Sequence, residues 1–236
     1  QVIYVGDRHQ QIYEWRGAVN AMERVNTPLS SYLTRSFRFG PEIAEAATKI
    51  LATLGENRAI EGNPEKKSYI GCMNPNAILC RTNAQVIGNV IERQGNGQKV
   101  HIIGGIGELI RLLDGVVRLQ RGEPSDVPEF FGFKSWREVV EFSSTSEGRH
   151  LQTFVKLVDY NGEVKLQQAL RNTESREEDA NVVVSTAHKS KGREWDDVAL
   201  SGDFASRRFD KGGRELPLDE SEVRLFYVAA TRGKVA

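Results

Sequence analysis

The sequence is short of cysteine, of long apolar runs and of any surplus of charge. Only Cys72 and Cys80 occur in 236 residues. Their spacing is not that of a metal site, which excludes a disulfide scaffold or zinc finger and suits a reducing compartment. No stretch approaches the ~20 apolar residues of a membrane span, so no membrane partner is expected. The first residues lack a basic stretch followed by an apolar one, so no signal peptide is expected either. The default location is the cytoplasm, in association with a nucleoid, or the nucleus in a eukaryote. Lys+Arg and Asp+Glu both total 32. A polyanion would therefore be held by a local cluster of Arg and Lys rather than by a long-range field. Internal repeats and low-complexity tracts are also missing. What is there is an ordinary globular composition, long enough for one large or two modest domains with cores of their own.

The pattern along the chain is that of an α/β protein interrupted by helices. QVIYVGD reads as a buried parallel strand, residues 17–25 as a short helix and SSYLT, residues 30–34, as a second strand. Pro41 and the apolar residues Ile43, Ala47, Ile50, Leu51 and Leu54 predict a helix over 41–54. Residues 55–75 read as loop. AILCRT and KVHII read as strands on either side of a helix, NAQVIGNVIERQG. From about 107 to 178 no strand stands out, only helical patches: ELIRLLDGVVRLQ, SWREVVEFS, LQTFVKLVDY and EVKLQQALRN. The strand–loop–strand rhythm returns with NVVVSTAHKSKGREWDDVAL. A final helix is predicted near 220–231, where Asp219 and Glu222 have the spacing of a capping box.

Four clusters invite chemistry, and each alone has an ordinary explanation. In VGDRHQQIYEWRGA, Gln10 follows the end of an apolar strand, where ligands of open α/β sheets bind, and its amide can donate and accept. Tyr13 and Trp15 are either core anchors or a platform for nucleic-acid bases. Arg35 and Arg38, in LTRSFRFGPEI, lie between a strand end and a helix start, an anion-friendly place, though surface arginine pairs are common. In STAHKSKGREW the residues Thr186, His188, Lys189 and Lys191 follow a VVV strand. In VRLFYVAATRGK, Arg232 ends an amphipathic helix, where it also complements the helix dipole.

Taken in order, GDxxQxIYxWRGA, LxxSFR, RTNAQ, TxHxxKGxEW and RLFYVAxTR resemble the motifs of superfamily 1A DNA helicases, the UvrD/Rep/PcrA group. HQQIYEWRGAVNAM with SFRFGPEIA is most similar to the branch that includes the F-box DNA helicases. The resemblance implies RecA-like lobes, each a parallel sheet flanked by helices, with ATP and Mg²⁺ in the cleft and single-stranded DNA across the top. It implies that Gln10 senses the γ-phosphate, that Arg38 and Arg232 act as arginine fingers and that Glu194 contacts the nucleotide ribose. It places Tyr13, Trp15, Arg16, Thr186 and His188 on DNA. No metal ligand is assigned to this chain. The domains expected on this basis are residues 1–27 as the end of the first lobe, 28–106 and 179–236 as the second lobe, and 107–178 as a reduced helical insertion.

Arg193 and Trp195 depart from the family's KGLEF, and Gly233 stands where Ala is common. The largest departure is that no G-x-x-x-x-G-K-[ST] loop occurs in the chain. The chain therefore reads as the C-terminal part of an ATP-dependent 3′→5′ helicase involved in DNA repair or recombination. By itself it is expected to be inactive, to hold no cofactor tightly, and to depend on a first RecA-like lobe to meet single-stranded DNA and duplex junctions. The alternative is a helicase-derived module that grips DNA or protein without catalysis.

Overall fold

The computed structural model describes residues 2–14, 17–71, 74–204, 208–209, 214–216 and 219–236. They form two compact units, one from Gln1–Arg81 with Ala187–Ala236 and the other from Thr82–Thr186. The α/β class expected from the sequence is observed in both.

In the first unit, strand β1 (Ala77–Cys80) pairs in parallel with β4 (Val198–Leu200), Ala77 opposite Val198 and Leu79 opposite Leu200. All four residues of β1 are buried, as a continuous AILC run requires when both faces are covered. Helix α2 (Pro41–Ala52) begins with proline at its first turn and buries Ile43, Ala44, Ala47 and Leu51. Helix α9 (Glu220–Ala230) buries Val223, Leu225, Tyr227, Val228 and Ala229. Two short helices, α1 (Ala21–Arg24) and α8 (Ala187–Ser190), a 3-10 turn at Arg8–Gln10 and a small antiparallel hairpin of β5 (Arg208–Phe209) with β6 (Glu215–Leu216) complete it.

In the second unit, α3 (Asn83–Gly95) matches the expected helix residue for residue. Thr82 caps it by accepting from the Gln85 amide, and Ala84, Val86, Ile87 and Val90 form its buried face. Strand β2 (Val100–Ile102) pairs in parallel with β3 (Val182–Thr186). Between them run α4 (Gly107–Gln120), α5 (Trp136–Ser143), α6 (Gln152–Asn161) and α7 (Glu163–Arg171). An aromatic cluster joins these helices: the rings of Phe130 and Trp136 meet edge to face at 6.0 Å and Trp136 meets Phe154 at 6.3 Å. The helical run shares a compact unit with α3, β2 and β3.

Three expectations need correction. The strand expected at QVIYV is not formed by its described residues: residues 2–5 are exposed, Val5 at 78%. An apolar run becomes a strand only beside a partner, and no strand lies beside it among the described residues. SSYLT is not a strand; the Thr34 carbonyl accepts the Glu61 amide at 2.8 Å, and the bridge there is formed by Arg35 with Glu61. The helix expected over 17–25 contracts to the four residues of α1. Among the described residues no helix is long and apolar enough to cross a membrane.

Candidate functional site

The first unit gathers the conspicuous residues of four motifs. Asp7 starts the 3-10 turn by accepting the His9 amide on Oδ1 at 2.9 Å. Its Oδ2 accepts from Gln10 Nε2 at 3.1 Å and from the Tyr227 hydroxyl of α9 at 3.0 Å. The Gln10 carbonyl takes the Lys191 Nζ at 2.7 Å. Burial, and then the neighbouring Asp7 carboxylate, push the Tyr227 phenol well above its usual range. It therefore stays a donor at any physiological pH.

Arg38 sits on the loop before α2. Its Nε donates to Glu194 Oε2 at 2.8 Å and its Nη1 to the Thr231 carbonyl at 3.0 Å. The loop at 61–68 holds it from behind: Lys66 Nζ bonds the Arg38 carbonyl at 3.0 Å and the Asn63 amide bonds the Phe39 carbonyl at 2.9 Å. That closeness depends on glycine, because a Cβ on Gly62 would collide with the Gly40 backbone.

Arg232 is 2% exposed. Its guanidinium donates to the Val228 carbonyl at 2.8 Å, the Thr231 hydroxyl at 3.2 Å and the Arg193 carbonyl at 3.4 Å. All three acceptors are neutral. Burial first, and then the Arg38 charge, lower its pKa to about 10, against the pull of Tyr227, Glu194 and Asp7. The structure thus brings Gln10, Arg38, Glu194 and Arg232 into one neighbourhood around Asp7, Tyr227 and Thr231. Two guanidinium groups that repel each other, one of them dry, are a donor set suited to a polyanion.

The residues expected on DNA are less uniform. Tyr13 donates its hydroxyl to the His188 carbonyl at 2.8 Å, and its ring lies 5.8 Å from the His188 ring and 5.8 Å from Lys191 Nζ. Trp15 and Arg16 lie outside the described residues. Thr186 is buried at the end of β3, in the second unit. Arg35 pairs with Glu61 at 3.3 Å with both side chains more than half exposed, the ordinary surface pair. Arg193 is exposed, and what the site takes from it is its carbonyl. Gly233 has a steric reason: a Cβ there would strike the Ala236 carbonyl where the chain folds back beside Trp195.

Sequence reasoning missed Asp7 and Tyr227, although both stand inside quoted motifs. The available signal was an acid three residues before Gln10 and a phenol on the helix that leads into Arg232. Among the described residues no group of three or more His, Cys, Asp or Glu side chains could hold a metal ion.

The parallel strands flanked by helices are those expected of a helicase C-terminal lobe. Residues 133–236 match the family model of the UvrD-like helicase C-terminal domain, so the relationship to UvrD-like helicases read from the motifs holds. Two relatives are F-box DNA helicases. F-box DNA helicase protein 1 of Schizosaccharomyces pombe is 31% identical over 265 residues, covering 99% of this chain. F-box DNA helicase 1 of Gallus gallus is 30% identical over 264 residues, again covering 99%. The chain spans 30% and 26% of the lengths of these relatives.

Proposed function

We propose that this chain is the second-lobe part of an ATP-dependent 3′→5′ DNA helicase or translocase that acts in DNA repair or recombination. The observation that carries the reading is the meeting of Arg38 and Arg232 with Glu194, beside Gln10, in a single unit. ATP, when bound, supplies a phosphoryl group whose transfer spreads negative charge over its oxygens. Arg38 and Arg232 suit that charge because their forks are planar, permanently charged and held by hydrogen bonds before any ligand arrives. Glu194, half exposed, is free to exchange its Arg38 partner for a sugar hydroxyl. Gln10 has an amide that can orient a water. Tyr13, His188 and the loop after β3 lie beside Gln10's own segment, so DNA held there would feel a change at the phosphates. Trp15 we assign to base stacking and Arg16 to the same strand; Thr186 would touch that strand from the end of β3. Mg²⁺ and the phosphate-cradling loop are assigned to a first RecA-like lobe.

The test uses the full-length protein. Single-stranded DNA should stimulate its ATP hydrolysis, and Arg38→Ala or Arg232→Ala should lower kcat by about 10³-fold, the range of an arginine finger. The present chain alone should hydrolyse no ATP. Hydrolysis that survives both substitutions overturns the reading. Full-length protein that binds DNA with no ATP turnover would instead favour a non-catalytic, helicase-derived binding module.

A further inference from the structure

The carboxylate of Asp7 has more partners than a turn requires. Its Oδ1 serves as the ordinary cap of the 3-10 turn, on the His9 amide. Its Oδ2 instead joins two donors from opposite ends of the chain, Gln10 Nε2 at 3.1 Å and the Tyr227 hydroxyl at 3.0 Å. A turn glutamine has several rotatable bonds and an amide that can present either its oxygen or its nitrogen, so its orientation is undefined until something selects it. Here the main chain is held twice, by the Gln10 amide on the Asp7 carbonyl at 3.2 Å and by Lys191 on the Gln10 carbonyl at 2.7 Å. The side chain is then turned by Asp7, which takes the nitrogen. Gln10 Oε1 consequently faces away from Asp7.

We propose that Asp7 and Tyr227 are positioning residues that set the polarity of the Gln10 amide, so that Gln10 offers its carbonyl oxygen as acceptor to the O–H of a water molecule. This rests on the motor reading above and deepens it by giving the amide a direction. An acceptor aimed at water orients the water's oxygen lone pair the other way, toward an electrophile. Asp7 can keep this role because the Tyr227 phenol remains protonated and goes on donating. Tyr227 also belongs to α9, the helix that leads into Arg232. Helix α9 therefore carries the hydroxyl that steadies Asp7 and, through its Val228 carbonyl, anchors the guanidinium of Arg232 just past its end, so a shift of α9 would loosen the amide and move the cation together.

The first readout needs no nucleotide. In ¹⁵N-edited NMR spectra of this chain, the Gln10 side-chain amide should show one strongly shifted, exchange-protected proton. Asp7→Ser keeps a cap for the turn but is too short to reach Gln10 or Tyr227. Asp7→Asn can turn its one accepting oxygen to Gln10 and Tyr227, giving up the cap on His9. The shifted proton should disappear in Asp7→Ser, move in Tyr227→Phe and persist in Asp7→Asn. In the full-length protein, Asp7→Ser and Tyr227→Phe should lower kcat for DNA-stimulated ATP hydrolysis by ~10-fold or more with KM for ATP within about twofold, the mark of a misdirected group rather than of lost binding. Asp7→Asn should recover most of that loss. A lower melting temperature in these variants, with the NMR signature and kcat unchanged, would make Asp7 merely structural and overturn the proposal. Hydrolysis that survives Arg232→Ala would overturn the motor reading instead, and the NMR arm would still decide whether Asp7 directs the amide.

Discussion

Arg232 keeps a permanent charge where water does not reach, held by three neutral acceptors. Such a group is retained for what it does rather than for stability, because desolvating a cation beside another cation is unfavourable. Its lowered pKa says the same: folding disfavours the charged form at every pH below about 10. Arg232→Met fills much of the same volume without the charge. We expect it to leave the melting temperature unchanged or higher by calorimetry while abolishing hydrolysis by the full-length protein. Glu194→Gln should be nearly silent in urea denaturation, at under about 1 kcal/mol, because its ion pair with Arg38 is half exposed. At this scale much was legible. Gln10, Arg38 and Arg232 announce themselves because an amide and arginines at element ends suit phosphates, whereas Glu194 enters only through the motif resemblance. Asp7 and Tyr227 did not, because the value of each lies in a partner more than two hundred positions away, and no local pattern encodes that.

Helix α9 is fixed at its start by two separate devices. Asp219 accepts the Ser221 amide at 2.8 Å. Glu222 turns away from the expected capping box to grip Arg81 through both carboxylate oxygens, each at 2.6 Å. Asp203 in turn accepts the Arg81 amide at 3.0 Å. Glu222→Ala would strand a guanidinium that is about two-thirds buried, and we expect a loss of about 1 kcal/mol after allowing for solvent screening, measured by chemical denaturation. Asp219→Ala should cost a further ~1 kcal/mol, as lost N-caps do. Helix α3 was readable to the residue because its buried face recurs at helical spacing and a threonine caps it. QVIYV and SSYLT were not, because strandhood depends on a neighbour and apolar character alone cannot supply one. The capping box failed for a related reason: a long-range arginine outbid a local amide for the same carboxylate.

Across the molecule, equal numbers of acids and bases conceal uneven use. Glu56 accepts from Arg58 Nη2 at 2.8 Å and Arg8 Nη2 at 2.9 Å, and lies 3.4 Å from His9 Nε2. Arg58 also stacks on the Tyr32 ring at 3.6 Å. Above all the Arg58 hydrogen bond, and to a smaller degree those of His9 and Arg8, hold the Glu56 carboxyl far below its ordinary 4.5. Ser68 lowers Glu42 in the same direction. A carboxyl whose folded pKa is depressed adds stability that is complete above its unfolded value and fades as pH falls below it. The melting temperature should therefore hold from neutrality down to about pH 5 and drop below about pH 4.5, near the ordinary carboxyl value. Glu56→Gln should flatten that drop. An unchanged acid limb in Glu56→Gln would show that the network contributes nothing.

The depth of Arg232 has one more consequence. Counterions reach Lys191 and the exposed face of the His188 loop, but not a guanidinium that is 2% accessible. Raising ionic strength should thus weaken the hold on a phosphodiester strand steeply, while turnover at saturating DNA changes little. Grip and chemistry would then come apart in a simple potassium chloride titration, with one screened by the solvent and the other sealed from it.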